Sequence, residues 1–330
     1  MSKYRLLLFF ILALLLALIP VSYRLSTNAV FSLASPTQSE CRIVQHDLGE
    51  ACVPLHPKRV VVLGGLDAVL ALGVKPVGAE GTIESFYEAA FSKADLAAIE
   101  PIGFSETGVD LEAILKLKPD LILQLAFWNY VSPTYDLLSK TIPMVVVMNQ
   151  TEAEWKSVFL KYAEALGKTR EANQILASYH ARLAEFQARM GDRLNQIKVS
   201  LVRVFPLGLS FYLKTSFPGS IVAETGLQRP PVQDVTSPQA LYIDVNPEML
   251  DVLDGDVMFV WSFGYNAPMI RTAQSVLKRL QSDSLWSQLK VVQQKQVYEV
   301  SSSTWMGYGP IAANLVVDDL FKYFLGEPSS

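Results

Sequence analysis

Two stretches of this chain read as copies of one unit, and a duplicated unit constrains the fold more than any composition does. Asp110–Leu123 reads DLEAILKLKPDLIL and Asn246–Val260 reads NPEMLDVLDGDVMFV. Each opens on an Asx residue suited to cap a helix, with a glutamate at the second helical position, Glu112 or Glu248. Pro247 takes the first helical position, where a missing N–H costs nothing. In each copy an aspartate stands eight residues beyond the glutamate, Asp120 or Asp256, at the mouth of an apolar strand. Matched cap, acid, spacing and strand point to duplication of a whole α/β lobe.

The rest of the chain fits that reading. Val60–Leu63, Pro76–Ala79, Leu121–Leu125 and Met144–Val147 are short apolar runs interleaved with helical patterns, which predicts a parallel α/β sheet. Asp67–Leu72 is a short helix closed by Gly73. Trp155, Val158, Phe159, Tyr162, Ala163 and Leu166 follow helical spacing up to Gly167. A second helix, Lys168–Met190, would be about 35 Å long at 1.5 Å per residue. Periodicity leaves two roles open for it, a rigid strut between two α/β regions or an ordinary long surface helix. A second series follows, with strands at Val199–Phe205, Val257–Trp261 and Val297–Val300 and a closing helix at Ile311–Phe324.

The N-terminus predicts export. Lys3 and Arg5 precede an unbroken apolar run, Leu6–Ile19. As a helix that run spans about 21 Å, short of the roughly 30 Å hydrocarbon core, which favours a secretory segment with a small-x-small site at Ser32-Leu33-Ala34. An uncleaved anchor extended through Pro20–Tyr23 is the competing reading. The first 34 residues carry three of the 28 basic residues and none of the 32 acids, leaving the remainder at net −7. So acidic a body is a poor partner for nucleic acid. The two cysteines, Cys41 and Cys52, flank a turn-rich centre and read as a hairpin stapled by a disulfide in an oxidising compartment. The alternative of a lipid-modified Cys41 meets Gln-Ser-Glu before it in place of small or apolar residues. His46 and His56 flank the hairpin, but their spacing with the cysteines matches no standard zinc pattern.

Signatures of catalysis are missing. No serine sits in a G-x-S-x-G elbow, there is no Walker loop, and Gly64-Gly65 lacks the rest of a dinucleotide fingerprint. A paired-carboxylate hydrolase has no motif behind it, since surface acids are usually just solvated. What stands out is aromatic residues at strand ends, where open α/β sheets bind ligands. Trp128 and Tyr130 follow one strand, Phe211 and Tyr212 another, Trp261, Phe263 and Tyr265 a third, and Trp305 and Tyr308 the last. Each alone has a bland reading as a core aromatic. Arg203 and Arg271 are the nearest basic groups, suited to an anionic ligand, and Arg203 has the alternative of an ion pair inside the second lobe.

Four segments together carry a resemblance: RVVVLGGLDAVLALGVKPVGA (Arg59–Ala79), DLEAILKLKPDLIL, SFPGSIVAETGLQRP (Ser216–Pro230) and WMGYGPIAANLVVDDL (Trp305–Leu320). The chain resembles the ABC-importer substrate-binding proteins of the iron-siderophore and cobalamin group over nearly its whole exported length. Its hairpin before Arg59 resembles a ferric-siderophore subgroup. The resemblance implies an α/β fold of two Rossmann-like lobes with parallel sheets, joined by one long rigid helix, with the ligand between the lobes and little hinge motion. The organisation is then 1–34 signal peptide or anchor, 35–57 stapled hairpin, 58–167 N-terminal lobe, 168–196 connecting helix and 197–330 C-terminal lobe.

The resemblance further implies a periplasmic or extracytoplasmic monomer, not an enzyme, that hands a ferric chelate to an ABC permease with a cytoplasmic ATPase. Iron is carried only as the siderophore complex, with no cofactor and no direct protein–metal bond. The ligand-binding residues expected are Trp128, Tyr130, Arg203, Tyr212, Trp261, Tyr265, Arg271 and Trp305. Glu112 and Glu248, one on each lobe tip, are expected to dock onto permease arginines; their place at helix N-termini is favourable with or without a partner. One departure stands out. Many siderophore-binding relatives carry an arginine shortly before the tyrosine matching Tyr212, and here that position is Ser210. A hydroxamate ligand is then less secure, and Arg203 or Arg271 has to substitute. A cobalamin- or haem-type carrier and a membrane-anchored ligand sensor are the alternatives.

Overall fold

The computed structural model describes residues 41–81, 87, 91–105, 108–127 and 135–326; the export segment expected in residues 1–34 lies outside them. Strands β1 (Cys41–His46) and β2 (Gly49–Pro54) pair as a ribbon whose Val44, Ala51 and Val53 point inward. Both cysteines are disulfide-bonded. Such a hairpin is marginal alone. Here it is tied down by Arg42 Nη1 donating to Ala165 O at 2.9 Å and by Lys161 Nζ donating to Gln45 O at 2.8 Å. The Asp47 carboxylate also accepts from Met148 N at 2.6 Å. Replacing both cysteines by serine is expected to cost about 2–3 kcal/mol, from the entropy of a loop this short. Urea unfolding checks it, with an unchanged midpoint counting against the staple.

The first sheet contains β3 (Val60–Leu63), β4 (Gly78–Glu80), β5 (Glu100–Ile102), β8 (Leu121–Phe127) and β9 (Met144–Asn149), in the order β5-β4-β3-β8-β9. Every neighbouring pair is parallel. All four residues of β3 are buried, as expected of a parallel strand covered on both faces. Two very short strands, β6 (Phe104–Ser105) and β7 (Gly108–Val109), form a separate ribbon. Helix α1 (Leu66–Ala71) follows Gly64 and Gly65, whose φ values of 88° and 76° suit a residue without Cβ. Helix α2 (Leu111–Lys116) is capped by Asp110, which accepts from Ala113 N at 3.0 Å.

Helix α3 (Trp155–Leu166) ends at Gly167 with φ 71°. Helix α4 (Thr169–Met190) then runs 22 residues, with Ala172, Leu176, Tyr179, Leu183, Phe186 and Met190 buried along one stripe. That spacing of three and four is the signature of one helical face on a core.

The second sheet holds β10 (Val199–Phe205), β11 (Gly208–Tyr212), β12 (Tyr242–Val245), β13 (Val257–Ser262) and β14 (Val297–Glu299), in the order β12-β11-β10-β13-β14. β10, β13 and β14 are parallel, whereas β10-β11-β12 run antiparallel. Pro206 and Leu207 alone join β10 to β11, too few residues for a crossover, so the chain must fold back as a hairpin. Three further helices matter: α5 (Phe217–Glu224), α6 (Ala267–Gln281) and α7 (Pro310–Leu325). The largest apolar cluster runs without a break from Val60 and Leu66 through Trp155 and Tyr179 to Phe259, Trp261 and Val316.

The internal echo is structural at its aspartates. Asp120 accepts from Lys58 N at 2.8 Å and Arg59 N at 2.9 Å, and its own N–H donates to Arg59 O. Asp256 accepts from Lys198 N at 2.9 Å, and its N–H donates to Lys198 O. Each aspartate thus clamps the residue before its own sheet's first central strand, β3 or β10. The helix expected after Asn246 needs correcting: the segment is a turn followed by a 3-10 helix, Leu250–Leu253. Asn246 Oδ1 accepts from Glu248 N, two residues on, at 3.0 Å. That Asx-turn bends the backbone before a helical cap of the Asp110 type can form.

Candidate functional site

Side chains two apart on a strand share a face. On one face of the second sheet the register therefore gathers Arg203 and Phe205 from β10, Ser210 and Tyr212 from β11, Tyr242 and Asp244 from β12, and Trp261 from β13. Arg203 and Ser210 are direct cross-strand partners, as are Ser210 and Asp244. A cavity of about 310 Å³ opens there, lined by Arg203, Phe205, Ser210, Tyr242, Asp244 and Tyr265 among others. That lies at the small end of the size range for small-molecule sites.

Arg203 dominates the site's electrostatics. It is buried, and its Nη2 donates to Ser210 Oγ at 3.2 Å while Nη1 lies 3.5 Å from the Tyr212 hydroxyl. Ser210 Oγ in turn donates to Asp244 Oδ1 at 2.7 Å. The guanidinium sits 3.9 Å from the Tyr242 ring centroid and 5.6–5.8 Å from those of Phe205, Tyr212 and Phe263. Aromatic faces attract a cation, but they satisfy none of its N–H donors. Arg203 Nε is buried without a hydrogen-bond partner, and no carboxylate among the described residues forms a salt bridge with it. A buried guanidinium held only by neutral oxygens and rings has donor capacity left for an anion. The ion pair considered for Arg203 inside the lobe is therefore not what the structure contains.

Glu152 approaches from the segment between β9 and α3. Its Oε2 accepts from Phe217 N at 2.9 Å, at the start of α5. Burial pushes the Glu152 carboxyl above the usual range, while the Phe217 N–H and the Arg203 charge pull it back. Burial also holds the Tyr212 and Tyr308 hydroxyls protonated well above their ordinary range. Tyr308 and Asn149 meet nearby, with Asn149 Nδ2 donating to the Tyr308 hydroxyl at 2.6 Å.

The residues expected from sequence divide clearly. Arg203 and Tyr265 line the cavity, Tyr265 as a rim residue 77% exposed beside Leu207 at 93%. Tyr212 sits beneath Arg203. Trp261 is fully buried 5.1 Å from the Tyr212 ring, its Nε1 without a partner. Trp305 packs in the core, stacked on Phe259 at 4.5 Å with Nε1 donating to Asp319 Oδ2 at 2.8 Å. Arg271 stands exposed on α6, away from the cavity-lining set. Trp128 and Tyr130 lie outside the described residues. Glu112 is exposed on α2 and pairs with Lys116 at 2.9 Å, and Glu248 is exposed in its turn.

Tyr242, Asp244, Phe205 and Glu152 were not anticipated. The alternation of Tyr242 and Asp244 about Ile243 was the available signal for the first two. Arg229 has a structural use: Nε donates to Val199 O and Nη2 to Tyr212 O, both at 2.7 Å, tying β10 to β11 behind the site. Burial pulls the Arg229 guanidinium down to about 9.

Two α/β lobes on one continuous core, with a buried cation and aromatic rings opening at strand ends, define a two-lobed small-molecule binding protein. Residues 64–304 match the periplasmic binding protein family, and the chain belongs to that family. It is 33% identical over 299 residues to the probable siderophore-binding lipoprotein YfiY of Bacillus subtilis (strain 168), covering 88% of this chain and 89% of that protein. It is 27% identical to the achromobactin-binding periplasmic protein of Dickeya dadantii (strain 3937), covering 81% and 86%. Among solved structures, Staphylococcus aureus SirA complexed with staphyloferrin B matches with a TM-score of 0.73 at 28% identity, covering 86% of this chain and 98% of that one.

Proposed function

We propose that this chain is the extracytoplasmic substrate-binding component of an ABC importer, and that it captures a ferric siderophore presenting carboxylate oxygens to Arg203. The observation that carries the reading is the buried guanidinium lining a ligand-sized cavity, held by neutral hydroxyls and aromatic rings. A planar guanidinium matches a carboxylate with two parallel hydrogen bonds, so Arg203 suits a chelate that carries carboxylate oxygens. The relatives support the ligand class: YfiY is named a probable siderophore-binding lipoprotein, and SirA is solved in complex with staphyloferrin B. Arg203 also answers the departure at Ser210. The serine is its cross-strand partner, so the arginine reaches the same point of the sheet from the neighbouring strand.

The lobes are assigned to residues 58–167 and 197–330, with 168–196 connecting them and the stapled hairpin at 35–57. Glu112 and Glu248 are the permease-docking pair of a monomeric carrier. Tyr242 and Tyr265 form the aromatic side of the cleft, with Tyr212 and Trp261 packed behind it. Titration with ferric citrate, a ferric trihydroxamate and a ferric triscatecholate, followed by tryptophan fluorescence, tests the reading. Ferric citrate is expected to quench at the lowest concentration. A tight response to cobalamin or haem, with none to any ferric chelate, overturns it.

A further inference from the structure

Helix α7 begins at Pro310, and its first free N–H groups are spoken for by a residue 244 positions away. Ile311 N donates to Asp67 Oδ1 at 2.8 Å, and Ala312 N donates to Asp67 Oδ2 at 3.0 Å. Asp67 lies on α1, directly after β3 of the first sheet, and is almost fully buried. Gly309 presses against it: an added Cβ would lie 2.5 Å from the Asp67 Cβ. Both carboxylate oxygens are therefore occupied by a helix N-terminus, where a negative charge is favoured. Burial pushes the Asp67 carboxyl up to about 7, and the two N–H groups pull it back.

Immediately before Gly309 stands Tyr308, with φ 50°, a left-handed conformation uncommon for a tyrosine. Such a conformation persists only where the surroundings enforce it. Its ring lies edge-on to Phe127, at the end of β8, with centroids 5.4 Å apart, and 6.1 Å from Phe217, at the start of α5. Its hydroxyl meets Asn149, at the end of β9. Tyr308 thus touches the strand ends of the first sheet and a helix beside the second. The charge of Glu152, which also senses Arg203, reaches it as well.

We infer that Asp67 is a positioning residue for the ligand cleft: by holding the start of α7 it locks Tyr308 in its left-handed conformation between Phe127, Asn149 and Phe217, and so sets how the strand ends of the first sheet pack on α5 beside the cleft. This rests on the cleft being the cargo site. Asp67 itself touches no part of the cavity around Arg203.

Asp67→Ala removes the clamp from one side and Gly309→Ala displaces it from the other, so both should act alike. In protein labelled with 3-fluorotyrosine, the fluorine resonance assigned by Tyr308→Phe should be single in the parent and shifted or broadened in both variants. Affinity for ferric citrate should fall about tenfold in each, and Asp67→Ala combined with Tyr308→Ala should be no weaker than Tyr308→Ala alone. Asp67→Asn, which keeps one acceptor, should recover part of the loss. An unmoved Tyr308 resonance overturns the positioning role whether or not any chelate binds. So does a folded Asp67→Ala protein that melts earlier yet binds as the parent does, or losses that simply add. Failure of the parent to bind ferric citrate or the other ferric chelates strikes the cargo reading instead, and the resonance still decides the role of Asp67.

Discussion

Arg203→Met is expected to weaken binding of a carboxylate-bearing ferric chelate by about 100-fold, with no loss of thermal stability. The first half follows from losing a charge-assisted pair in a site screened from water, worth about 2–3 kcal/mol. The second follows from what surrounds the guanidinium: four aromatic rings, two neutral hydroxyls and no salt-bridged carboxylate among the described residues. Burying that charge is a cost in the empty protein, and an unbranched apolar side chain of similar length removes it. Calorimetric titration beside a thermal melt separates the two quantities. Unchanged affinity, or a steep fall in melting temperature, would show that the residue serves the lobe and not the cargo. Arg203→Lys should fall between, because an ammonium keeps the charge and loses the planar fork.

The second large effect concerns delivery. Glu112→Ala together with Glu248→Ala should bring uptake in cells to background while the purified protein binds its chelate as before. Neither side chain lines the cavity around Arg203, and both are exposed. Among the described residues Glu112 pairs only with Lys116, an exposed i,i+4 contact of a few tenths of a kcal/mol, so stability should move by no more than about 0.5 kcal/mol. Uptake assays with the radiolabelled ferric chelate, set beside fluorescence titration of the purified double variant, check both halves. Weakened chelate binding, or normal uptake, would sink the division of labour.

Much of the fold was legible because burial on both faces leaves its mark residue by residue. The runs at Val60–Leu63 and Met144–Val147 are strands, and the stripe from Ala172 to Met190 is one long helix. The echo was legible at Asp120 and Asp256, whose clamps recur in both sheets. It misled at Asn246, because an Asx-turn and a helix cap begin with the same residue types and differ only in which N–H the oxygen takes.

The site was read less completely, for a physical reason. Arg203, Ser210 and Asp244 converge through cross-strand register, and register across a two-residue hairpin is set by pairing, not by spacing along the chain. Strand-end position found Trp305 and Tyr308 alike. The short helix carrying Trp305 turns it into the core, while Tyr308, three residues on, stands between the lobes. Asp67 gave no sign of its use, since its partners lie at the far end of the chain.

The unbroken apolar cluster that runs from β3 through α4 to β13 and α7 ties the fates of the two lobes together. Neither can shed its core without exposing the other's, so they should unfold in one cooperative step. Cargo gripped mainly by the second sheet would then protect the first as well, through mass action on a shared equilibrium. For a carrier outside the cell's chaperone system, loading and resistance to proteolysis would rise together.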